Sequence, residues 1–383
     1  MANRFSAREM KSSSEVLIER QQSVHVNGLD TVRAVLACWV VIHHSPFGKL
    51  PFPVSDHHSL RTAIWMFQVS FNGQAAVIAF FIVSGFCIHW PYATGKQMIT
   101  SEFLVQRLLR IGIPLAVALI LGWSFGVPSG SFWKEAVTFG VPIWSLWCEM
   151  MYYLIYPVIY WLIRRRGVNV PLVLSFIPAA FALCSNHQWS KPFFYLNGGT
   201  CFWMTALMGL PFWLAGSWLA ESVRTNRSGN GVVRNTKTRL WLCRLAMYWI
   251  QGLMAVLAFK FGIGLPLMLF LSLPFFVFWI RNEISYYSQN PEPPLVAWLG
   301  GISYSIYLVH VSFYIVLQTA NVQPWPLLAR WLLSVGVILF GSWMFYRIAE
   351  LPSHRLAKIV GKRLRLRDVV TGMPNRIQPE SAF

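Results

Sequence analysis

The sequence predicts an all-α polytopic membrane protein of about ten transmembrane helices, with both termini in the cytoplasm. Three observations predict it. Only 12% of the 383 residues are charged, about half the share of a soluble domain. The apolar residues, 55% of the chain, gather in blocks near the ~20 residues a helix needs to cross ~30 Å of hydrocarbon. Lys and Arg crowd into alternate loops, which is the mark of a chain threaded repeatedly through a bilayer. Backbone N–H and C=O groups must pair internally in lipid, so the apolar blocks read as helices.

The expected spans are 29–47, 63–90, 107–126, 141–163, 169–185, 201–220, 244–261, 264–280, 297–319 and 326–348. The first opens LDTVRAVLACWVVIHH. The second contains AFFIVSGFCI, whose Ser84-Gly85 step permits close helix packing. The third is entered through RLLR. The fourth carries SLWCEMMYYLIYP. The seventh and eighth are separated only by residues around Gly262 and Gly264, which predicts a tight hairpin. The ninth contains ISYSIYLVH, and the tenth runs into IAELP. Prolines inside spans (Pro114, Pro157, Pro178, Pro211, Pro274) are tolerated where neighbouring helices re-satisfy the backbone.

With the N-terminus inside, the inner segments hold runs such as Arg164–Arg166, Arg224 to Arg244 and Arg355 to Arg376. The outer loops hold only Lys49, Arg61, Lys134 and Lys191. The net charge of +18 is thereby read as topology and lipid-headgroup contact, which argues against a nucleic-acid partner. The domain organisation is a polar cytoplasmic segment over 1–28, an integral domain over 29–350 and a basic cytoplasmic tail over 351–383, placed on the inner leaflet or disordered. The polar first segment reads as no cleavable signal. The six cysteines lie mostly in apolar runs without metal-ligand spacing, so no metal and no permanently bound cofactor is expected. GxSxG, HExxH and Walker patterns are absent from the sequence.

Ionisable groups inside spans are costly and mark candidate sites. Asp30 and Arg33 are three apart at the start of the first span and share a helix face. Arg33 and His44 are eleven apart, about three turns and 16 Å along the same face; His43 adjoins. Arg107 and Arg110 lie on one face of the third span, a pair of forks suited to phosphate. Plain anchoring at the membrane surface is the alternative. Glu149 is the acidic residue deepest in any span and needs a cation or donors; His44, Arg33 and His310 are its candidate partners. Tyr304, Tyr307 and His310 follow one another along the ninth span and face either a neighbour or a cavity. Glu350 reads as structural. His57, His58 and His187 read as solvated loop residues.

These segments, in this order, resemble the membrane acyltransferase-3 family, which includes bacterial O-antigen and exopolysaccharide O-acetyltransferases. The resemblance covers about 28–355. It implies an acyl-CoA donor and a hydroxyl acceptor. It implies that Arg33 and His44 are functional, His44 as the catalytic residue, and that Arg107 and Arg110 bind the donor. His43 does not sit at the family's Arg-to-His spacing. Val77-Ile78-Ala79 is apolar where many relatives carry an acid before the second-span motif.

The expected mechanism brings acyl-CoA from the cytoplasm, its phosphates on Arg107 and Arg110, and its arm past Arg33. His44 then acts as general base on the acceptor, with transfer either direct or through acyl-His44. Glu149 is expected to orient His44, because helix rise puts both at similar depth; His310 competes for that place. The expected partners are acyl-CoA, a glycan or lipid-linked sugar, the bilayer and glycan-assembly proteins. The alternative functions are a secondary transporter or a flippase-like component of polysaccharide export.

Overall fold

The computed structural model describes residues 26–46, 58–126, 142–185, 201–228, 235–320, 322 and 324–371. The readings made for 1–25, the loop residues His57 and His187, and 372–383 fall outside these. All regular structure among the described residues is helical: α1 (Leu29–His44), α2 (His58–Ser70), α3 (Gly73–Ala93), α4 (Thr100–Ser124), α5 (Ile143–Arg166), α6 (Asn169–Ser185), α7 (Cys201–Ser228), α8 (Lys237–Lys260), α9 (Leu265–Tyr287), α10 (Pro294–Gly301), α11 (Ser303–Thr319), α12 (Leu327–Phe345) and α13 (Leu351–Thr371). Among the described residues, six helical stretches are long and apolar enough to cross a membrane, or seven if the bent α10–α11 pair is one span. The chain is therefore an all-α multi-pass membrane protein. At 16 and 17 residues, α1 and α6 are shorter than the ~20 residues of a full crossing.

Two expected spans are broken. The second divides at Phe71-Asn72 into α2 and α3. Asn72 makes the break: its side-chain oxygen accepts from the N–H groups of Gln74 and Ala75 at 3.1 and 3.3 Å, an N-cap that starts a new helix. The ninth bends by 69° between α10 and α11. Gly300 permits the approach there, since a Cβ would stand 2.1 Å from the carbonyl oxygen of Asp30.

The centre of the bundle is the α3–α7 crossing. A Cβ on Gly85 would lie 1.8 Å from the Trp213 carbonyl oxygen, and one on Gly216 2.0 Å from that of Ile82. Without side chains at these two positions the backbones meet directly, as small residues allow in membrane helices. Around them pack Phe86, Tyr152, Phe212 and Trp213, all fully buried.

Two charged clamps hold the periphery. Between α8 and α9, Arg244 donates through Nε and Nη2 to the two oxygens of Glu283 at 2.7 and 2.9 Å. Trp279 Nε1 adds a third bond to Glu283 at 2.8 Å. Glu283 is completely buried. Truncating it leaves Arg244 without its counter-ion, so Glu283→Ala is expected to cost about 3–5 kcal/mol. Thermal unfolding in detergent checks this, and an unchanged midpoint would refute it.

The second clamp concerns the basic tail. Residues 351–371 form α13, which continues from α12 through a π-helical turn, Tyr346–Glu350. It packs along α4. Ser353 Oγ donates to the Arg110 carbonyl at 3.4 Å, and Arg365 Nε to Glu102 at 2.9 Å. Lys96, in the α3–α4 connection, donates to the same carboxylate at 3.1 Å. Burial lowers the pKa of Lys96 below its ordinary value, and Glu102 opposes that shift.

Candidate active site

A cavity of about 300 Å³ opens between α1, α3, α4, α5, α11 and the start of α13. One end carries Arg33, Arg107 and Arg110, with Glu350 and His354 beside them. Arg33 pairs with Asp30 at 3.2 Å and donates to Cys87 Sγ at 3.2 Å. Arg107 lies near the Phe103 ring, 5.8 Å from its centroid, and its Nε is buried without a hydrogen-bond partner among the described residues. Arg110 Nε donates to His354 Nε2 at 3.0 Å. Ser305 Oγ donates to Glu350 at 2.5 Å. The π turn carries Tyr346 and Glu350 on the cavity wall, and π turns recur at functional sites.

At mid-depth the wall is polar. Glu149 accepts from Ser84 Oγ and, at 2.8 Å, from Tyr153 Oη. Trp213 Nε1 donates to Ser84 Oγ at 3.3 Å. Tyr304 also lines the cavity and donates to the Ile111 carbonyl at 3.2 Å. The far end is apolar, with Val77, Phe80 and Leu146, and there the Ser145 and Tyr307 hydroxyls pair at 2.6 Å.

Beyond Tyr307 lies a histidine group. The Tyr307 and His310 rings are 6.1 Å apart, and those of His310 and His44 5.2 Å. His310 Nε2 is 3.2 Å from His44 Nδ1. His43 Nδ1 meets the Phe71 carbonyl at 2.8 Å, and its ring packs on Gly73. The anticipated Glu149–His44 pair is therefore corrected: Glu149 belongs to the cavity wall with Ser84 and Tyr153, and the ring against His44 is His310. Helix rise gave the depth of Glu149, but its azimuth is set by α5 turning this face toward α3 and α7.

The arrangement thus brings Arg33, Arg107, Arg110, Glu149, Tyr304 and Tyr307 onto one cavity, with Asp30 behind Arg33. His43, His44 and His310 form a separate cluster beyond Tyr307. α1 contributes to both, Arg33 to the cavity and His43 and His44 to the cluster, with Arg33 and His44 about 16 Å apart by helix rise.

A family model described as an acyltransferase domain matches residues 26–347. The chain belongs to the acyltransferase-3 family. Comparison with curated proteins and with solved structures returned no match. This acyltransferase-3 protein is accordingly a membrane acyltransferase, and the matched range takes in the histidine cluster and the cavity lining as far as Tyr346, with Glu350 and His354 just beyond it.

The cavity also takes in residues that the sequence does not mark as its parts. Ser84, expected to serve helix packing, and Glu350, expected to be structural, both line the cavity. Tyr153, four residues after Glu149, was legible as an i,i+4 neighbour. His354 was hidden in a hydrophilic tail. Asp30 offsets Arg33 from behind, while the Arg107 and Arg110 forks face the cavity together, apt for a phosphorylated ligand. Glu149 does not touch His44, so Glu149→Gln alters the cavity wall and leaves the histidine cluster in place. Both bonds to Glu149 fall on Oε1, which the amide keeps, so the expected loss in turnover is below about tenfold, the difference between a charge-assisted and a neutral hydrogen bond. Steady-state kinetics decide; a collapse to the level of a His44 variant would contradict the assignment.

Proposed function

We propose that this chain transfers an acyl group, acetyl in the first instance, from cytoplasmic acyl-CoA to a hydroxyl of an envelope glycan or related acceptor, in the bacterial inner membrane. The observation that carries the reading is the cavity, with three arginines at one end and Tyr307, at the other, beside the histidine cluster. With the N-terminus inside, as the Lys and Arg distribution indicates, the arginine end faces the cytoplasm. The donor's phosphates meet Arg107 and Arg110, whose forks suit phosphate oxygens. The pantetheine arm passes Arg33, Ser84 and Glu149, and the thioester is presented toward Tyr307 and His44. His44 removes the acceptor's proton as general base. The Ser145–Tyr307 pair must part for the thioester to reach it.

Acyl-CoA labelled in its acyl group, incubated with purified protein and an extract of the host's envelope glycans, tests the proposal. Label in the glycan fraction supports it. The bent α10–α11 helix on the cavity wall favours a second reading, since broken helices also build transport sites. A transporter would move solute across vesicles and leave acyl-CoA intact, with no label transferred.

A further inference from the structure

We propose that His310 is a positioning residue that fixes His44 in one tautomer, so that Nε2 is the nitrogen that exchanges the proton. The inference rests on the acyltransferase reading above and adds the atom that acts and the residue that selects it.

The argument runs from acceptors to donors. His310 Nδ1 faces two backbone carbonyls, Ile306 O at 3.0 Å and Tyr307 O at 2.9 Å. Carbonyl oxygens only accept, so Nδ1 of His310 carries the hydrogen. In a neutral ring Nε2 is then the lone-pair nitrogen. His310 is completely buried, and no acidic side chain among the described residues bonds it, so a charge there would stand uncompensated.

That lone pair lies 3.2 Å from His44 Nδ1. The same Nδ1 is 3.0 Å from the Val40 carbonyl. Both neighbours accept, so His44 Nδ1 carries a hydrogen and Nε2 carries the lone pair. The chain of bonds thus reads backbone carbonyl, His310, His44. Among the described residues, the titratable groups near the pair include His43, whose ring is 5.0 Å from His44, and Tyr307 and Tyr314 beside His310.

The step then balances. His44 Nε2 takes the proton of the acceptor hydroxyl. The acceptor oxygen bonds to the acyl carbon, the carbon–sulfur bond breaks, and the CoA thiolate leaves with the proton from Nε2. While His44 is doubly protonated, its Nδ1–H still donates to neutral His310, so the ring keeps its orientation throughout. A neutral imidazole here does the orienting done elsewhere by a carboxylate.

The test compares His310→Gln with His310→Asn. Gln places an amide oxygen near the position of Nε2, where it accepts from His44; Asn reaches only as far as Nδ1. Both keep a polar side chain in the same helix, and both are assayed as monodisperse full-length protein. Acceptor-dependent CoA release is followed with acetyl-CoA and the envelope-glycan extract. Turnover of the Asn variant is expected to fall about 100-fold, and that of the Gln variant to stay within about tenfold of wild type. The KM for acetyl-CoA should be unchanged in both. Equal turnover of the two variants, high or low, overturns the proposal. So does a loss carried by KM. Failure of the wild type itself to release CoA from acetyl-, succinyl- or longer acyl-CoA would instead refute the functional reading beneath it.

Discussion

Replacing His44 by Ala is expected to lower acceptor-dependent turnover by about 10²- to 10⁴-fold, the usual contribution of a positioned general base. His44 ends α1, is exposed at that end, and meets His310 on one side and His43 on the other. It lines no part of the arginine-bearing cavity. Its loss should therefore leave donor binding intact. The signature is a fall in kcat with an unchanged KM for acetyl-CoA, which assigns an interaction made in the transition state. Residual turnover near the wild-type rate would remove His44 from the chemistry.

The converse is expected of Arg107 and Arg110. They lie one turn apart on α4, Arg107 with a buried unsatisfied Nε and Arg110 held by His354. A hydrogen bond to a charged group contributes about 1.5–3 kcal/mol. Two lost together should raise the KM for acyl-CoA by at least about 100-fold. The double Ala variant should recover part of its rate at saturating donor, since His44 is untouched. Raised salt should weaken wild-type binding in the same direction, because the attraction is ionic. A double variant with wild-type KM would return both residues to plain anchoring at the membrane surface.

Much of this arrangement was legible before any coordinates. The apolar blocks located the helices because burial in lipid demands both length and hydropathy. The i,i+3 spacing of Asp30 and Arg33 announced their pair, and that of Arg107 and Arg110 their common face. Depth was also legible, since helix rise is constant. Neighbours were not. Glu149 lay at a plausible depth for His44, yet which helices meet is decided by Gly85 and Gly216, whose backbone contacts no periodicity reveals. The break at Asn72 was available as an N-cap signal ahead of Gly73, but the apolar run on both sides masked it. His354 escaped notice because α13 is basic and hydrophilic, and its helical state depends on packing against α4 and on the Glu102 clamp. The π turn that presents Glu350 has no sequence signature of its own.

The measurement closest to the centre of the proposed mechanism uses sealed proteoliposomes. Acetyl-CoA and a soluble glycan acceptor, neither able to cross the bilayer, are placed on the same side or on opposite sides. One cavity leading from the arginines toward His44 predicts acylated glycan only when donor and acceptor are separated by the membrane, whichever way the protein has inserted. Product formed only with both on the same side would contradict it, and would place the acceptor at the arginine end of the cavity.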